Sequence, residues 1–342
     1  MNTAEVKISA QNAVEFIRAM EEKALALDPL TWDEAVELMS LDTVHIYDLI
    51  ASANRVRRKF KGDEISICSI INAKSGQCPE DCSFCSQSSS AKTSAPVFDL
   101  ISQEKITAGA RDAAANGARK YGIVTSGYGF GAKGSKKTLD GLVDHISALK
   151  QDCEVHRCAS LGIIDEATAR RLKAAGLEEY HHNLETARSF FPSVCTTHDY
   201  EEDVSTVRAA KAAGLRVCCG GIFGLGESAE QRVEMAFTLR ELEVDSIPLN
   251  FLNPIKGTRL ENQPPLPALE ILKIIAVYRL ILPAKDIKAA GGREKNLRDL
   301  QCMMFAAGAN STMVGNYLTT CGRPAEEDLR MIRDLGLTVK EP

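Results

Sequence analysis

The feature of the sequence that most restricts its fold is a joint that recurs along the chain. In this joint a helical stretch ends at a glycine and a strand-like run begins a few residues later, as in DAAANGARKYGIV, RLKAAGLEEYHH, RAAKAAGLRVCC and MMFAAGANSTMV. Glycine suits the position after the last helical turn, because that position often adopts a left-handed conformation. Strands that alternate with helices in this manner indicate a parallel sheet.

The number of these units selects the architecture. Eight strand candidates follow one another, each with a helical pattern after it: residues 65–71, 121–126, 154–160, 179–185, 216–222, 246–252, 286–291 and 311–315. Eight βα units over about 270 residues match the size of a closed (β/α)8 barrel, and an open doubly wound sheet is the alternative. We therefore predict an α/β TIM barrel over residues 61–342, preceded by an N-terminal helical extension over residues 1–60.

Alternation along the strands predicts which side chains point into the barrel. Successive residues face opposite sides, and the apolar side should meet the helices. The opposite, inward side is polar and includes Cys68, His156, Cys158, His181, Asn183, Glu185, Cys218 and Lys288. Barrel interiors are usually filled by branched apolar residues, and buried polar groups are costly without partners. The sequence therefore predicts a ligand or a metal inside the barrel.

The segment CPEDCSFC follows the first strand and places Cys78, Cys82 and Cys85 at the C-terminal mouth of the barrel. A structural zinc site takes four ligands, commonly as two close pairs, and no second pair lies at that spacing. Thiolates are the usual ligands of a 4Fe–4S cluster, and three of them leave one iron open. Phe84, directly before the third cysteine, is placed to shield such a cluster.

This C-x3-C-x2-C pattern with an aromatic residue before its last cysteine resembles the signature of radical S-adenosylmethionine enzymes. In that superfamily the open iron binds S-adenosylmethionine, and one electron from the cluster yields a 5′-deoxyadenosyl radical. Stretches spread over most of residues 40–335 resemble the biotin synthase family: INAKSGQCPEDCSFCSQSS, GLEEYHHNLET, VCCGGIFGLGES, LNFLNPIKGTRLE, AGGREKNLRD and AGANSTMVGNYLTT.

The resemblance implies a homodimeric TIM barrel that converts dethiobiotin to biotin. Two hydrogen abstractions are followed by insertion of sulfur from a second, auxiliary iron–sulfur cluster, and a reduced flavodoxin or ferredoxin supplies electrons. The resemblance also implies roles for individual residues. Those expected to contact cofactor or substrate are Phe84, His181, Asn183, Glu185, Gly221, Gly224 and Asn250, and those expected to be catalytic are Cys158, Cys218, Asn183 and Glu185.

The chain departs from the family pattern at the auxiliary cluster. The well-known form holds a 2Fe–2S cluster with three cysteines and an arginine, of which Cys158 and Cys218 match two. The third cysteine falls near Val124, and the arginine falls on Lys288, whose ammonium is not a ligand. We therefore expect a different auxiliary cluster, with four irons, held by Cys68, Cys158, Cys218 and a candidate fourth ligand, Cys195. A second departure is Asp203, which stands where an arginine that contacts S-adenosylmethionine is expected.

The bulk composition narrows the remaining possibilities. A net charge of −5 offers no electrostatic case for nucleic-acid binding, and no apolar run reaches the roughly 18 residues of a membrane span. The N-terminus lacks a secretory pattern, so we expect a cytoplasmic protein, in which eleven cysteines indicate metal or redox chemistry. Two alternatives stay open at this point: a radical enzyme on the same barrel that inserts no sulfur, and a non-catalytic iron–sulfur or zinc protein.

Overall fold

The computed structural model describes residues 10–130 and 135–340. Three helices precede the barrel: α1 (Ala10–Leu25), α2 (Trp32–Ser40) and α3 (Ile46–Lys61). A capping box begins α2, since the Thr31 hydroxyl accepts from the Glu34 amide and the Glu34 carboxylate accepts from the Thr31 amide. The Asp42 carboxylate accepts from the amide of Val44 and so caps a short 3-10 turn that leads into α3.

The strands form a closed parallel barrel, as predicted. In chain order they are β1 (Glu64–Lys74), β2 (Lys120–Thr125), β3 (His156–Ser160), β4 (Glu179–His181), β5 (Arg216–Cys218), β6 (Gly221–Phe223), β7 (Ser246–Phe251), β8 (Asp286–Ala289), β9 (Ser311–Met313) and β10 (Thr338–Val339). Each strand from β1 to β4 pairs with the next, β5 and β6 both pair with β7, and β7, β8 and β9 follow in order. Pairing of β9 with β1 closes the barrel, and β10 adds to the start of β1.

The predicted fifth strand, residues 216–222, is interrupted. Its two halves, β5 and β6, contact β7 at separate points, where Cys218 pairs with Ser246 and Gly221 with Leu249. Between them the backbone of Gly220 runs so close to β7 that an added Cβ would lie 2.1 Å from the Pro248 carbonyl oxygen. The interruption therefore arises from a tertiary contact that the alternation of residue types does not encode.

The remaining helices lie between the strands along the chain. They are α4 (Gln103–Ala115), α5 (Lys136–Asp152), α6 (Glu166–Ala174), α7 (Tyr200–Ala212), α8 (Ala229–Glu241), α9 (Ala268–Ile281), α10 (Arg293–Leu297), α11 (Met303–Ala306) and α12 (Ala325–Asp334). The predicted glycine joints are present, and Gly117, Gly176, Gly214 and Gly308 all have positive φ. None of the helices in the described parts of the chain is long and apolar enough to cross a membrane.

Helix α9 is buried on all sides because the N-terminal helices cover it. Residues 271–281 of this helix are all buried, and α1, α2 and α3 each contact it. A helix enclosed in this way must be apolar all round, as ILKIIAVYRLI largely is. The N-terminal helices thus share one hydrophobic core with the barrel.

The charged exceptions in this stretch of α9 are Lys273 and Arg279, and the side chain of Arg279 is fully buried. Its guanidinium donates to the carbonyl oxygens of Gly308 (2.8 Å) and Lys285 (2.8 Å) and to Oδ1 of Asn310 (2.8 Å). These acceptors lie just before β8 and β9. Arg279 therefore fixes α9 to the strands that close the barrel.

Replacement of Arg279 by Met should lower the free energy of unfolding by about 3 kcal/mol or more, because buried acceptors lose a charged donor. Urea unfolding followed by circular dichroism measures this change. Arg330→Met, at an exposed position on α12, is the matched control and should change stability by less than about 0.5 kcal/mol. Equal effects of the two substitutions would contradict the anchoring role of Arg279.

Candidate active site

A cavity of about 470 Å³ opens at the C-terminal mouth of the barrel. This is the end at which enzymes of this architecture place their chemistry. The cavity is lined by many of the residues predicted from the sequence: Cys68, Cys78, Cys82, Phe84, Cys85, His181, Asn183, Glu185, Cys218, Asn250 and Lys288. Residues from β1, β4, β5, β7 and β8 therefore meet in one space. Cys158 is fully buried, and neither it nor Cys195, Gly221 or Gly224 lines this cavity.

The three-cysteine loop is held in place by its own backbone. The Cys85 amide donates to the Cys82 carbonyl (3.0 Å). The Cys78 amide donates to the Gln87 carbonyl (3.1 Å), and the Cys78 carbonyl accepts from the Ser89 amide (2.8 Å). Burial raises the pKa of the Cys78 thiol, and it raises that of Cys85 to about 11. Ionisation of these thiols therefore requires a nearby positive charge, and bound iron provides one. The donor set fits an iron–sulfur cluster.

Phe84 connects this loop to the opposite wall of the cavity. Its ring packs against a small apolar cluster formed by Val194, Leu225 and Leu252. Leu225 belongs to the glycine-rich segment GGIFGLGE, which the sequence assigns to cofactor binding. This apolar contact holds the three-cysteine loop next to the glycine-rich segment and covers the loop on one side.

The glycine-rich turn after β6 is organised by a single carboxylate. Oxygen atoms of Glu227 accept from the amides of Gly224 (2.9 Å), Leu225 (2.8 Å) and Gly226 (3.2 Å). Arg232 balances the charge of Glu227 at 2.9 Å. Gly224 has a φ of 89°, which a residue with a side chain rarely adopts. The turn is thus a preformed element with its amides fixed by Glu227.

The start of the same glycine-rich segment, where β6 begins, is contacted by Asn183, Glu185 and Asn250. Asn183 Oδ1 accepts from the Gly220 amide (3.3 Å), and the Asn250 side-chain amide donates to the Gly221 carbonyl (3.1 Å). Gly221 passes so close to the backbone of Glu185 that an added Cβ would lie 2.6 Å from the Glu185 carbonyl oxygen. Burial, aided by the negative charge of Asp203, raises the pKa of the Glu185 carboxyl to about 8. These three predicted residues therefore lie together at one wall.

Cys195 lies beside the three-cysteine loop. Its sulfur is 3.8 Å from Cys82 Sγ, because Asp81 accepts hydrogen bonds from the amide (2.8 Å) and hydroxyl (2.6 Å) of Thr196 and so docks the Cys195 segment on that loop. The structure brings Cys195 to Cys82 and not to the interior cysteines. The expectation that Cys195 completes the auxiliary ligand set has therefore lost its geometric support.

Asp203, the second departure from the family pattern, binds two histidines. Its carboxylate lies 2.8 Å from His182 Nε2 and 3.3 Å from His198 Nε2, while His198 Nδ1 is 2.7 Å from Glu80. Burial favours the neutral ring, but the hydrogen bonds to Asp203, Cys195 and Glu80 outweigh it and raise the pKa of His198 to about 11. A positive charge therefore stands at this wall although the expected arginine is absent.

The polar side chains of the barrel interior lie at the floor of the cavity or behind it, and they include Lys288, Cys158 and Cys218. Lys288 Nζ is 3.6 Å from Cys218 Sγ, and burial raises the pKa of the Cys158 and Cys218 thiols. Burial acts to lower the pKa of Lys288, but the negative charges of the Cys218 and Cys68 thiolates and of Glu179 outweigh it and raise that pKa. The ammonium group therefore remains charged and faces sulfur.

Glu179 is a member of this group that the sequence reasoning missed. Its carboxylate is fully buried and contacts Lys120 (2.6 Å), His181 (3.1 Å) and Arg216 (3.4 Å). Glu179 shares the face of His181, Asn183 and Glu185 on its strand, so the alternation that found those three could have found it as well. Lys120, which begins β2, could have been found in the same way. The register also places Gly122, rather than Val124, opposite Cys158.

Comparison with known proteins identifies the family. The model of the Radical SAM superfamily matches residues 74–239, and that of the Biotin and Thiamin Synthesis associated domain matches residues 248–338. A biotin synthase of Geobacter sulfurreducens is 59% identical over 309 residues, which cover 90% of this chain and 93% of the relative. A biotin synthase of Heliobacterium modesticaldum is 49% identical over 323 residues, 94% and 98% of the two chains. This chain belongs to the biotin synthase family.

Membership of the biotin synthase family makes the chain a radical S-adenosylmethionine enzyme of biotin synthesis, which uses a 4Fe–4S cluster and S-adenosylmethionine. The fold is also found in more distant solved structures. Methylornithine synthase superposes with a TM-score of 0.82 at 20% identity, over 94% of this chain and 97% of the other. The maturase HydG of the [FeFe]-hydrogenase gives 0.80 at 17% identity, over 95% and 75%. These two structural similarities support the barrel fold and carry no conclusion about function.

Replacement of Glu227 by Ala should weaken binding of S-adenosylmethionine about tenfold, or about 1.4 kcal/mol, because the glycine-rich turn loses the acceptor that fixes its amides. Equilibrium dialysis with the reconstituted enzyme measures the dissociation constant. Glu230→Ala is the matched control, since that carboxylate accepts from Ser228 on the outer side of the same segment. An unchanged constant in Glu227→Ala would show that the turn is not part of the cofactor site.

Proposed function

We propose that this enzyme converts dethiobiotin to biotin by two hydrogen abstractions and inserts sulfur from an auxiliary iron–sulfur cluster inside the barrel. Cys78, Cys82 and Cys85 hold the 4Fe–4S cluster at the mouth, and three interior thiols, Cys68, Cys158 and Cys218, hold the auxiliary cluster. The observation that carries the proposal is the convergence of these interior thiols, from β1, β3 and β5, on the charged amine of Lys288.

The charges of the interior support an anionic cluster there. Two lysines approach this interior: the partly buried Lys120 pairs with the Glu179 carboxylate at 2.6 Å, but the buried Lys288 has Cys218 Sγ as its hydrogen-bond partner. The Glu179 carboxylate also raises the pKa of Lys288, but it pairs directly with Lys120. A buried cation is costly without a direct anionic partner, and thiolates bound to a cluster supply that negative charge beside Lys288. Lys288 then acts as a counter-ion and hydrogen-bond donor, in the position where the well-known form has an arginine ligand.

When bound, the cluster at the mouth with S-adenosylmethionine provides the hydrogen-abstracting radical, and the interior cluster provides sulfur. The proposal is supported by one cavity of about 470 Å³, which Cys78, Cys82 and Cys85 line together with Cys68 and Cys218. This cavity is also lined by Ile70, Val124, Ile222 and Met313, which favour an apolar carbon chain over water. Asn250 uses its amide to hold the Gly221 carbonyl and the Gly291 amide, and it presents its remaining donor to the ureido ring of dethiobiotin.

We also propose an electron donor, a cellular location and an oligomeric state for the enzyme. Cleavage of S-adenosylmethionine consumes a low-potential electron, for which a reduced flavodoxin or ferredoxin in the cytoplasm is the donor.

The chain forms a homodimer, and the exposed Val44 and Tyr47 of the N-terminal extension are apolar surface of the kind that subunit contacts cover. Light scattering on the purified protein tests the dimer, and a single-chain mass would overturn it.

Replacement of Cys158 by Ala should abolish biotin formation while 5′-deoxyadenosine is still made, because the mouth cluster stays intact and the interior cluster loses a ligand. Single-turnover reactions with dethiobiotin and dithionite, analysed by mass spectrometry, measure both products. Cys153→Ala is the matched control, since Cys153 follows α5 outside the barrel interior, and it should retain both.

The source of the sulfur is tested with the wild-type enzyme. Protein reconstituted with ³⁴S-sulfide should yield biotin that carries ³⁴S. Biotin with sulfur of natural abundance, or full biotin formation by Cys158→Ala, would contradict the proposed sulfur donor. Formation of 5′-deoxyadenosine without any biotin in the wild type would instead favour a radical enzyme that inserts no sulfur.

A further inference from the structure

His181 lies among the interior thiols. The register pairs it directly with Cys218 across β4 and β5, and it pairs Glu179, two residues earlier, with Cys158 across β3 and β4. His181 also lines the cavity together with Cys68 and Lys288. The imidazole thus comes from the strand between those that carry Cys158 and Cys218, whereas Asn183 and Glu185 follow it toward the mouth.

One ring nitrogen of His181 is fixed by a buried acid. Its Nε2 lies 3.1 Å from the carboxylate of Glu179, which is fully buried and is also held by Lys120. Proteins use this arrangement to orient an imidazole that binds a metal, because the carboxylate fixes both the tautomer and the ring plane and leaves the other nitrogen free to ligate.

The second ring nitrogen has no hydrogen-bond partner within residues 10–130 and 135–340. Nδ1 points towards Gly122, the β2 residue level with Cys158, and lies 3.6 Å from the position that a Cβ at Gly122 would occupy. A longer side chain at that position would take the space in front of the imidazole. A sulfur of Cys158, an oxygen of Glu179 and a nitrogen of His181 also lie within 4.8 Å of one another, which places the ring within reach of a shared metal centre.

We infer that His181 is the fourth protein ligand of the auxiliary cluster, through Nδ1, and completes the set formed by Cys68, Cys158 and Cys218. This inference rests on the proposed function, since it needs the interior cluster. It replaces the expected contact of His181 with S-adenosylmethionine, and it makes a ligand from the Cys195 segment unnecessary. Imidazole is an accepted ligand of iron in iron–sulfur proteins, where it changes the reduction potential.

The test is a nitrogen hyperfine measurement on the dithionite-reduced enzyme without S-adenosylmethionine, so that no cofactor nitrogen reaches the mouth cluster. Protein grown with ¹⁵N-histidine should show a strongly coupled ¹⁵N on the auxiliary cluster. His181→Cys, which keeps a ligand, should retain the iron content of the wild type but lose this coupling. His181→Ala should lose the auxiliary iron. His145→Gln, on α5, is the matched control and should retain both iron and coupling.

The outcomes separate this inference from the function on which it rests. An auxiliary cluster present in the wild type without histidine nitrogen coupling, or a coupling that survives in His181→Cys, would overturn the ligand role and leave the interior cluster in place. A wild-type protein with only about four irons per chain would instead overturn the interior cluster itself.

Discussion

Closure of the parallel barrel is the constraint on which the site depends. Pairing of β9 with β1 brings Lys288, on the neighbouring strand β8, round to face Cys68 on β1, and the interior of the closed ring then also collects Cys158 and Cys218. In an open sheet the first and last strands would lie far apart. Arg279 secures this closure from the outside, because it ties the buried helix α9 to the backbone just before β8 and β9.

A barrel interior with this composition would be unstable without partners for its charges. Glu179, which is fully buried, is compensated by Lys120, Arg216 and two histidines, so this carboxylate is satisfied by the chain. Lys288 forms no ion pair with a carboxylate among the described residues, although Glu179 raises its pKa, and its ammonium faces sulfur. This excess of positive charge beside sulfur favours a bound group that is anionic and carries sulfur. The same excess of positive charge next to thiols separates this interior from an ordinary apolar barrel core.

Much of the fold and part of the site could be predicted from the sequence, because both depend on local patterns. The glycine joints mark the helix ends at Gly117 and Gly176, and alternation correctly placed Cys68, His181 and Lys288 on the cavity side. The break between β5 and β6 could not be predicted, since it results from the approach of Gly220 to another strand. The position of Cys195 depends on how an irregular loop docks on Asp81, and such loops carry no periodic signal. The ion pair between Asp203 and His198 could not be predicted either, because it joins groups whose positions depend on how separate segments pack.

The proposed cluster in the barrel interior has four irons, in place of a 2Fe–2S cluster. Mössbauer spectroscopy with iron and sulfide analysis, on ⁵⁷Fe-enriched protein purified without oxygen, tests it most directly. The account predicts about eight irons per chain, all in four-iron clusters. About four irons per chain, or a spectrum that contains a two-iron component, would contradict it.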